Sequence, residues 1–308
     1  MAILSIIILN FNTKKLTLDS VNSIEKNYLQ EVKEGTFEVI VVDNGSSDES
    51  LAAFNEYKKS TKIKSFQIVD SGGNIGFSAG NNKGVKKANG KYVLFLNPDT
   101  VVFPKTLNTC LELMESHPEV GASSCKLVNK EGRFDFNSHR GFPTAWNAFC
   151  YFSKIQKIFP KSRLFAGYTQ GWKNISTNHE VDAISGAFLL VSKKVGEKIG
   201  WWDEDYFFYG EDLQFCYDIK KLGLKIYFLG EVESMHIGGA SSGIKKTAQD
   251  VTTADIERKR KVQIARFEAM KIFYKKNYKN KYPTWFRFII FAGINLLQKQ
   301  ALAKISVN

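Results

Sequence analysis

Four short apolar runs, separated by segments with helical spacing, constrain the fold of the first hundred residues more than any other feature. The runs contain mostly aliphatic and aromatic residues with almost no polar alternation, at residues 3–9, 37–42, 65–69 and 92–96. Strands that are apolar on both faces are typical of parallel sheets covered by helices on both sides. The order β-α-β-α-β therefore predicts an α/β fold with right-handed crossovers.

Polar segments follow these runs, at the edge of the sheet where α/β proteins bind ligands. Asp43 begins the polar turn that follows the second run, and a segment rich in glycine and asparagine spans residues 72–84, after the third run. This segment matches no nucleotide-binding loop motif, so it is either a flexible loop or a backbone that approaches a phosphate group. Asp99 follows the fourth run, where it is either a turn residue or a ligand for a divalent cation or a sugar hydroxyl.

Two adjacent carboxylates, Glu211 and Asp212, lie between the aromatic residues 207–209 and a helix-like stretch at 213–222. Asp212 could cap that helix, a role in which aspartate is common. Aromatic neighbours also desolvate carboxylates and raise their pKa, which favours a general base near neutral pH. The local sequence leaves both hypotheses open.

The middle of the chain lacks clear periodicity. Residues 129–180 contain scattered glycines, prolines and aromatic residues, which favours a loop-rich insertion or lid with a helix within 145–159. A later strand at 181–191 is interrupted at Gly186, where a backbone can meet a ligand. His236 follows a further strand at 224–229 and is either structural or a metal ligand.

The positive charge of the chain is concentrated at its C-terminal end. The net charge is +12, and residues 245–308 hold fifteen Lys/Arg and four Asp/Glu. A long helix at 253–278 and an apolar stretch at 285–297 predict basic amphipathic helices, with residues 254–308 on an anionic membrane surface. The alternatives are packing on the rest of the protein, a homodimer interface or nucleic acid, and long apolar stretches argue against nucleic acid. The sequence predicts no stretch with the roughly 20 apolar residues of a membrane-spanning helix.

The four cysteines are widely spaced and form no CxxC pair, so we expect reduced core thiols rather than disulfides or a zinc site. The first apolar run has no basic leader and no cleavage site, so we interpret it as a strand. A cytoplasmic location follows, with contact to the inner face of the cell membrane through the basic tail.

Four segments occur in an order that resembles the family 2 inverting glycosyltransferases of the GT-A fold, and most closely their rhamnosyltransferase-like branch. They are VDNGSSDES at 42–50, NIGFSAGNNKG at 74–84, FLNPD at 95–99 and WWDEDYFFYGEDLQFCYDIKKLG at 201–223. The resemblance implies a mostly parallel, Rossmann-like sheet in a catalytic domain at 1–244. Residues 1–100 would bind the nucleotide-sugar and 101–244 the acceptor, with the helical tail at 245–308 outside this domain.

The resemblance also implies roles for individual residues. Asp43 would read the pyrimidine base, Asp99 would be the last acid of a DxD element, and His236 would complete a site for Mg or Mn. Because Asn97 replaces the first acid of that element, metal binding should be weakened. The donor-binding residues implied are Phe11, Asn12, Asp43, Asn74, Gly76, Asn81, Asn97 and Asp99. Those implied on the acceptor side are Gly186, Trp202 and Asp203.

Asp212 matches the catalytic base of the family and Glu211 lies beside it, while Gln214 replaces an acid found in the branch. The implied reaction is a single displacement that moves L-rhamnose from dTDP-L-rhamnose to a lipid-linked glycan in bacterial surface polysaccharide synthesis. A UDP-hexose donor is one alternative. Another is a non-catalytic protein that binds polyanions or membranes, although acids at strand ends repel polyanions. A sugar nucleotidyltransferase would need a glycine- and arginine-rich loop after the first strand, where residues 10–13 are Asn, Phe, Asn and Thr.

Overall fold

A computed structural model describes residues 2–238 and 255–305. Within these ranges the strands are β1 (Leu4–Asn10), β2 (Phe37–Asp43), β3 (Phe66–Asp70), β4 (Tyr92–Leu96), β5 (Thr100–Val102), β6 (Val120–Val128), β7 (His179–Val181), β8 (Phe188–Ser192) and β9 (Lys225–His236). The helices are α1 (Lys14–Asn27), α2 (Leu29–Glu34), α3 (Ser50–Ser60), α4 (Phe77–Val85), α5 (Thr106–Ser116), α6 (Ala145–Phe152), α7 (Ile155–Ile158), α8 (Lys193–Ile199), α9 (Glu211–Lys221), α10 (Ile256–Tyr278) and α11 (Thr284–Ile305).

All of these strands join one mixed sheet with the order β3-β2-β1-β4-β8-β6-β9-β5, and β7 pairs with β9. The strands β3, β2, β1 and β4 run parallel, which confirms the α/β prediction for the first hundred residues. The other half is mixed, because β8 runs antiparallel to both β4 and β6. The sheet is therefore less parallel than the resemblance implied, although its α/β architecture is as predicted.

The apolar runs form strands because the sheet is covered on both faces. Successive side chains of β1 alternate between two core clusters, with Ile6 and Ile8 in one and Ile7 and Leu9 in the other. All seven residues of β1 are buried. A strand in this position has no solvent face, and a polar side chain there costs free energy of desolvation unless it is hydrogen-bonded, as Ser5 is to Glu38.

The register of the parallel strands brings the predicted ligand residues to one edge. Asn10 lies beside Asp43 in β2, and Asp43 lies beside Asp70 in β3. The last residue of β4 is Leu96, so Asp99 follows at the same edge. Strand β9 extends to His236, well beyond the predicted end at residue 229, and pairs there with Thr100.

The middle of the chain divides differently from the prediction. The strand expected at 181–191 splits into β7 and β8, with Gly186 in the connection. The helix expected within 145–159 splits into α6 and α7, because Lys154 adopts a left-handed conformation with φ of 65°. We call residues 129–178 the insertion.

The two tail helices differ in their packing. Helix α10 buries Phe273, Tyr274 and Tyr278 in the same core cluster as the sheet, so the alternative of packing on the rest of the protein is correct for this helix. No residue of α11 is buried, and among the described residues it is the one helix whose length and apolar composition would allow it to cross a membrane. The prediction that no stretch is long enough was wrong, because the helix continues beyond residue 297 to Ile305. The boundary at residue 244 and residues 245–254 and 306–308 of the predicted tail lie outside the described residues.

Candidate active site

A cavity of about 1330 Å³ lies at the carboxyl edge of the parallel strands. Its walls come from the strand ends, the segment that leads into α9, the insertion, and the two tail helices. The structure brings nine predicted site residues together in this wall. They are Phe11, Asn74, Gly76, Asn97, Asp99, Gly186, Glu211, Asp212 and His236.

The carboxylate pair lies in the first turn of α9. The N-cap is Gly210, whose φ of 81° favours glycine, and the helix starts at Glu211. The Leu213 backbone N–H donates to Asp212 Oδ1 at 2.8 Å. Asp212 is therefore not the N-cap, and the capping hypothesis is wrong as first stated. Both acids still lie where the helix dipole favours negative charge.

Asp212 forms a buried ion pair with Arg140, a residue of the insertion. The Arg140 side chain is 9% exposed and that of Asp212 is 14% exposed. The Gly186 N–H lies 3.4 Å from Asp212 Oδ2, and Arg140 Nη1 lies 3.4 Å from the hydroxyl of Tyr168. A carboxylate held by a buried cation is fixed in place more firmly than a solvated one, so Arg140 orients the candidate base.

Glu211 has a different environment from Asp212. It is buried, and its Oε2 atom has no hydrogen-bond partner among the described residues. Burial and the neighbouring charge of Asp212 raise the pKa of Glu211 to about 8. Burial therefore favours the protonated form of Glu211, whereas Asp212 is paired with the Arg140 cation.

Asp99 and His236 form a second polar group in the cavity wall. Asp99 Oδ1 lies 3.4 Å from His236 Nε2, and Asp135 Oδ2 lies 3.3 Å from His236 Nδ1. Burial lowers the pKa of His236, but the charge of Asp99 and the contact with Asp135 outweigh it and raise that pKa to about 9. Asn97 Nδ2 is 3.4 Å from His236 Nε2, so Asn97 contributes an amide where the related motif has a carboxylate.

The chemistry of this group fits a divalent cation only in part. Among the described residues no three His, Cys, Asp or Glu side chains form a metal-binding group. Asp99 nevertheless offers one oxygen donor in the cavity wall, and His236 offers one nitrogen donor once a cation displaces its proton. A metal-binding histidine is commonly held by a carboxylate, as Asp135 holds His236 here. Two protein donors suffice where a substrate diphosphate supplies the other ligands.

The loop before α4 is shaped by Asn44, which the sequence did not single out. Its side-chain amide donates to Asn74 Oδ1 at 3.2 Å, and its Oδ1 accepts from the Ile75 N–H at 3.1 Å. Gly76 has a φ of 90°, and a Cβ there would lie 2.8 Å from the Phe207 carbonyl oxygen. The Phe77 N–H donates to that carbonyl at 2.8 Å, so this loop is joined directly to the segment that leads into α9.

Three predicted donor-binding residues do not line the cavity. Asp43 is fully buried and accepts from Asn10 Nδ2 at 2.7 Å. Asn12 Oδ1 accepts from the Ser47 N–H at 2.7 Å, and Asn81 Nδ2 donates to the Phe77 carbonyl at 3.0 Å. The side chains of Asn12, Asp43 and Asn81 thus hold neighbouring turns, and their direct contact with a donor stays a prediction.

Two predicted acceptor-side residues do not line the cavity. Trp202 is 1% exposed and packs against Phe95, with ring centroids 4.8 Å apart. Its ring lies close to Gly186, where a Cβ would be 3.4 Å from it, so Trp202 supports the backbone at Gly186. Asp203 pairs with Lys276 of α10. A direct contact of either residue with an acceptor stays a prediction.

Helix α10 supplies the cavity with cations that we predicted to lie on a membrane surface. Arg258, Lys261 and Arg266 of α10 all line the cavity. The Arg258 guanidinium lies 4.3 Å from the centre of the Phe11 ring, a cation–π contact. Helix α10 is therefore part of the site. Neither Arg140 nor these residues stand in a local motif, so sequence reasoning missed them.

Comparison with known proteins points to one family. The profile described as "Glycosyl transferase family 2" matches residues 5–175, and that described as "Glycosyl transferase family group 2" matches residues 92–306. The chain is similar to the "Low-salt glycan biosynthesis hexosyltransferase Agl10" of Haloferax volcanii, with 28% identity over 76% of this chain and 66% of the relative. It is also similar to the "Rhamnosyltransferase WbbL" of Escherichia coli, with 25% identity over 54% of this chain and 62% of the relative. The chain thus spans slightly less than two thirds of either relative.

Among solved structures, the fold is similar to that of the mannosyltransferase PcManGT from Pyrobaculum calidifontis in complex with GDP-Man and Mn²⁺. The TM-score is 0.59 at 16% sequence identity, and the match covers 99% of this chain and 73% of that one. At this identity the likeness establishes the fold alone, and it agrees with the mixed sheet and flanking helices described above.

Proposed function

The chain belongs to glycosyl transferase family 2, and from that premise we propose that it transfers a sugar from a nucleotide-sugar donor to a lipid-linked glycan, with inversion at the anomeric carbon. The observation that carries the proposal is the shared cavity. The Asp212 side chain, the loop at Asn74 and Gly76, and the polar pair of Asp99 and His236 all face the same space. A base, a backbone that can approach a phosphate and a site for negative charge are the parts that such a transfer needs.

The proposed reaction is a single displacement. Asp212 accepts the proton of an acceptor hydroxyl, whose oxygen forms a bond to the anomeric carbon of the donor sugar. The bond from that carbon to the diphosphate oxygen breaks on the opposite face, and the nucleoside diphosphate leaves with the electron pair. Arg140 holds Asp212 in position, and no side chain needs to act as a nucleophile.

A divalent cation, Mg or Mn, is part of the proposal. Asp99 and His236 would hold it, with Asp135 behind His236. A bound cation would offset the charge that develops on the leaving diphosphate. Because no three His, Cys, Asp or Glu side chains of the described residues form a metal-binding group, we expect the cation to bind weakly until the donor is present.

The donor sugar is proposed to be L-rhamnose from dTDP-L-rhamnose, on the basis of the sequence resemblance and the similarity to a rhamnosyltransferase. Similarity to a hexosyltransferase of glycan biosynthesis supports the alternative of another hexose, such as one carried by UDP. Both donors require the same cavity and the same base. Synthesis of a surface polysaccharide or a related glycan is the proposed setting.

A lipid-linked acceptor is proposed because one side of the cavity is apolar. Phe149 and Phe152 of α6 and Ile290, Ile294 and Leu297 of α11 line it, which suits a hydrocarbon chain better than a sugar. We also propose that the exposed helix α11 binds the inner face of the cell membrane, with a homodimer interface as the alternative. We keep the division into a catalytic unit at 1–244 and a tail at 245–308 as a proposal. Helix α10 belongs to the tail in this division but contributes residues to the cavity of the catalytic unit.

Turnover with a panel of donors tests this function. Purified protein with a lipid-linked acceptor and Mn²⁺ should release nucleoside diphosphate from dTDP-L-rhamnose, and the new linkage should have the inverted configuration by NMR. Turnover of a UDP-hexose alone would overturn the rhamnose assignment and keep the reaction class. Absence of transfer from every nucleotide-sugar, together with a salt-sensitive shift of DNA, would favour the non-catalytic polyanion-binding alternative.

A further inference from the structure

Two segments of the chain contain no acidic residue. Residues 136–179 carry six Lys/Arg and no Asp or Glu, and residues 269–308 carry eight Lys/Arg and no Asp or Glu. The remaining residues carry 29 basic and 31 acidic side chains. The whole positive charge of the protein therefore comes from part of the insertion and the end of the chain.

The same two segments expose most of the large apolar side chains. Of the seventeen such side chains exposed among the described residues, eleven lie in these segments. Those of the insertion are Phe136, Trp146, Phe149, Phe152, Ile158, Phe159 and Leu164, and those of α11 are Trp285, Phe288, Ile289 and Leu296. Exposed apolar side chains interspersed with cations, without acidic residues, are typical of a surface that binds anionic lipid.

The cavity brings the two segments to one side of the molecule. Phe149 and Phe152 of α6 and Ile290 and Ile294 of α11 line the same cavity. Phe149 is also 54% exposed, so it lies at the cavity mouth. Helices α6 and α11 thus flank one cavity, and both carry exposed apolar side chains.

We propose that the part of the insertion from Trp146 to Leu164 is a second membrane-binding element, which forms with α11 a single surface for an anionic lipid bilayer. A bilayer fits this surface better than a second copy of the chain, because a symmetric dimer would bring Lys157, Lys161 and Arg163 towards their own copies. Like charges brought together in an interface are unfavourable. All three of these cations are exposed.

This surface would place the cavity mouth at the bilayer. A lipid-linked substrate then enters from the membrane without leaving it, and its glycan reaches Asp212 from the side of α6 and α11. This consequence rests on the proposed function, whereas the binding of lipid by the insertion does not.

Vesicle co-sedimentation of the full chain tests the proposal. The probe is vesicles of phosphatidylglycerol and phosphatidylcholine, compared with phosphatidylcholine alone. The variant Ile158→Ser/Leu164→Ser removes two exposed side chains that do not line the cavity, and a second variant, Lys157→Glu/Lys161→Glu, reverses two charges. The matched controls are Ile3→Ser/Leu222→Ser and Lys58→Glu/Lys62→Glu, at exposed positions outside both segments.

We expect each insertion variant to lower the partition coefficient onto anionic vesicles about tenfold, since each loses apolar burial or attraction to lipid headgroups. The controls should change it less than about twofold, and phosphatidylcholine vesicles should bind wild type weakly. Wild-type binding by both insertion variants, with loss only in Trp285→Ser/Phe288→Ser, would overturn the proposal. A dimer that dissociates in the insertion variants, measured by light scattering, would also overturn it. Donor hydrolysis reports the proposed function separately and should be unchanged in these variants.

Discussion

The cavity has two walls that are built in different ways. The first is built from the strand ends and the start of α9, and it carries Asp99, Glu211 and Asp212. The second is built from the insertion and the tail helices, and it carries the cations Arg140 and Arg266, apolar side chains and a few acids such as Asp135. In the proposed reaction the first wall supplies the groups that act on the sugar, and the second supplies groups that position the base and accommodate the acceptor.

The two walls are assembled by different kinds of interaction. Acids of the first wall follow strands or begin a helix, so local sequence determines where they lie. Residues of the second wall reach the site only through long-range packing, as when α10 buries Phe273 and Tyr278 in the core of the sheet. The ion pair of Arg140 with Asp212 joins the two walls directly.

The largest effect is expected from Asp212→Asn, which removes the base from the first wall and changes little in shape. Transfer should fall by about 10²- to 10⁴-fold, the usual contribution of a general base. Steady-state rates with the active donor measure this, and donor affinity by calorimetry should stay within about twofold. Asp19→Asn is the matched control, because it changes an exposed acid that lies outside the cavity. A rate near that of wild type would show that Asp212 is not the base.

A smaller but still large effect is expected from Arg140→Ala, which breaks the link between the walls. Removing one partner of a buried ion pair costs about 3–5 kcal/mol of stability, because the other charge is left uncompensated. Chemical denaturation measures that loss, and kcat should fall more than KM rises if Arg140 positions the base. Arg140→Lys should recover part of kcat, and Arg163→Ala on the exposed surface should behave as wild type. If Arg140→Ala lost stability alone, with kcat intact, Arg140 would not position Asp212.

The two walls differ in how far the sequence predicts them. The parallel half of the sheet was predictable because each strand is a continuous apolar run. The positions of Asp99, Glu211 and Asp212 were predictable because Asp99 follows one of these strands and the other two begin a helix. Arg140 was not predictable, since it lies in a segment without periodicity and its partner is 72 residues away. Trp202 was assigned to the acceptor side by its place in a motif, but its aromatic ring is drawn into the core by Phe95 and Phe215.

The smallest effect on the rate of transfer is expected from Glu211→Gln, whose effect on stability depends on pH. The folded-state pKa of Glu211 is raised to about 8, above the ordinary value of 4.5. A carboxyl with a raised folded-state pKa stabilises the fold when protonated, and this stability is lost as pH rises from about 4.5 through 8. The Tm of wild type should therefore fall relative to that of Glu211→Gln across this range. Parallel Tm curves would contradict the buried, protonated state of Glu211.

The central claim is that both walls enclose one site for the donor and the acceptor. The most direct measurement is a crystal structure of the full chain with Mn²⁺ and the nucleoside diphosphate of the donor that supports turnover. Our account predicts the diphosphate between the loop at Gly76 and the pair of Asp99 and His236, with Mn²⁺ on that pair and Asp212 facing the remaining space. A nucleotide bound to the cations of α10 away from Asp99 would contradict it.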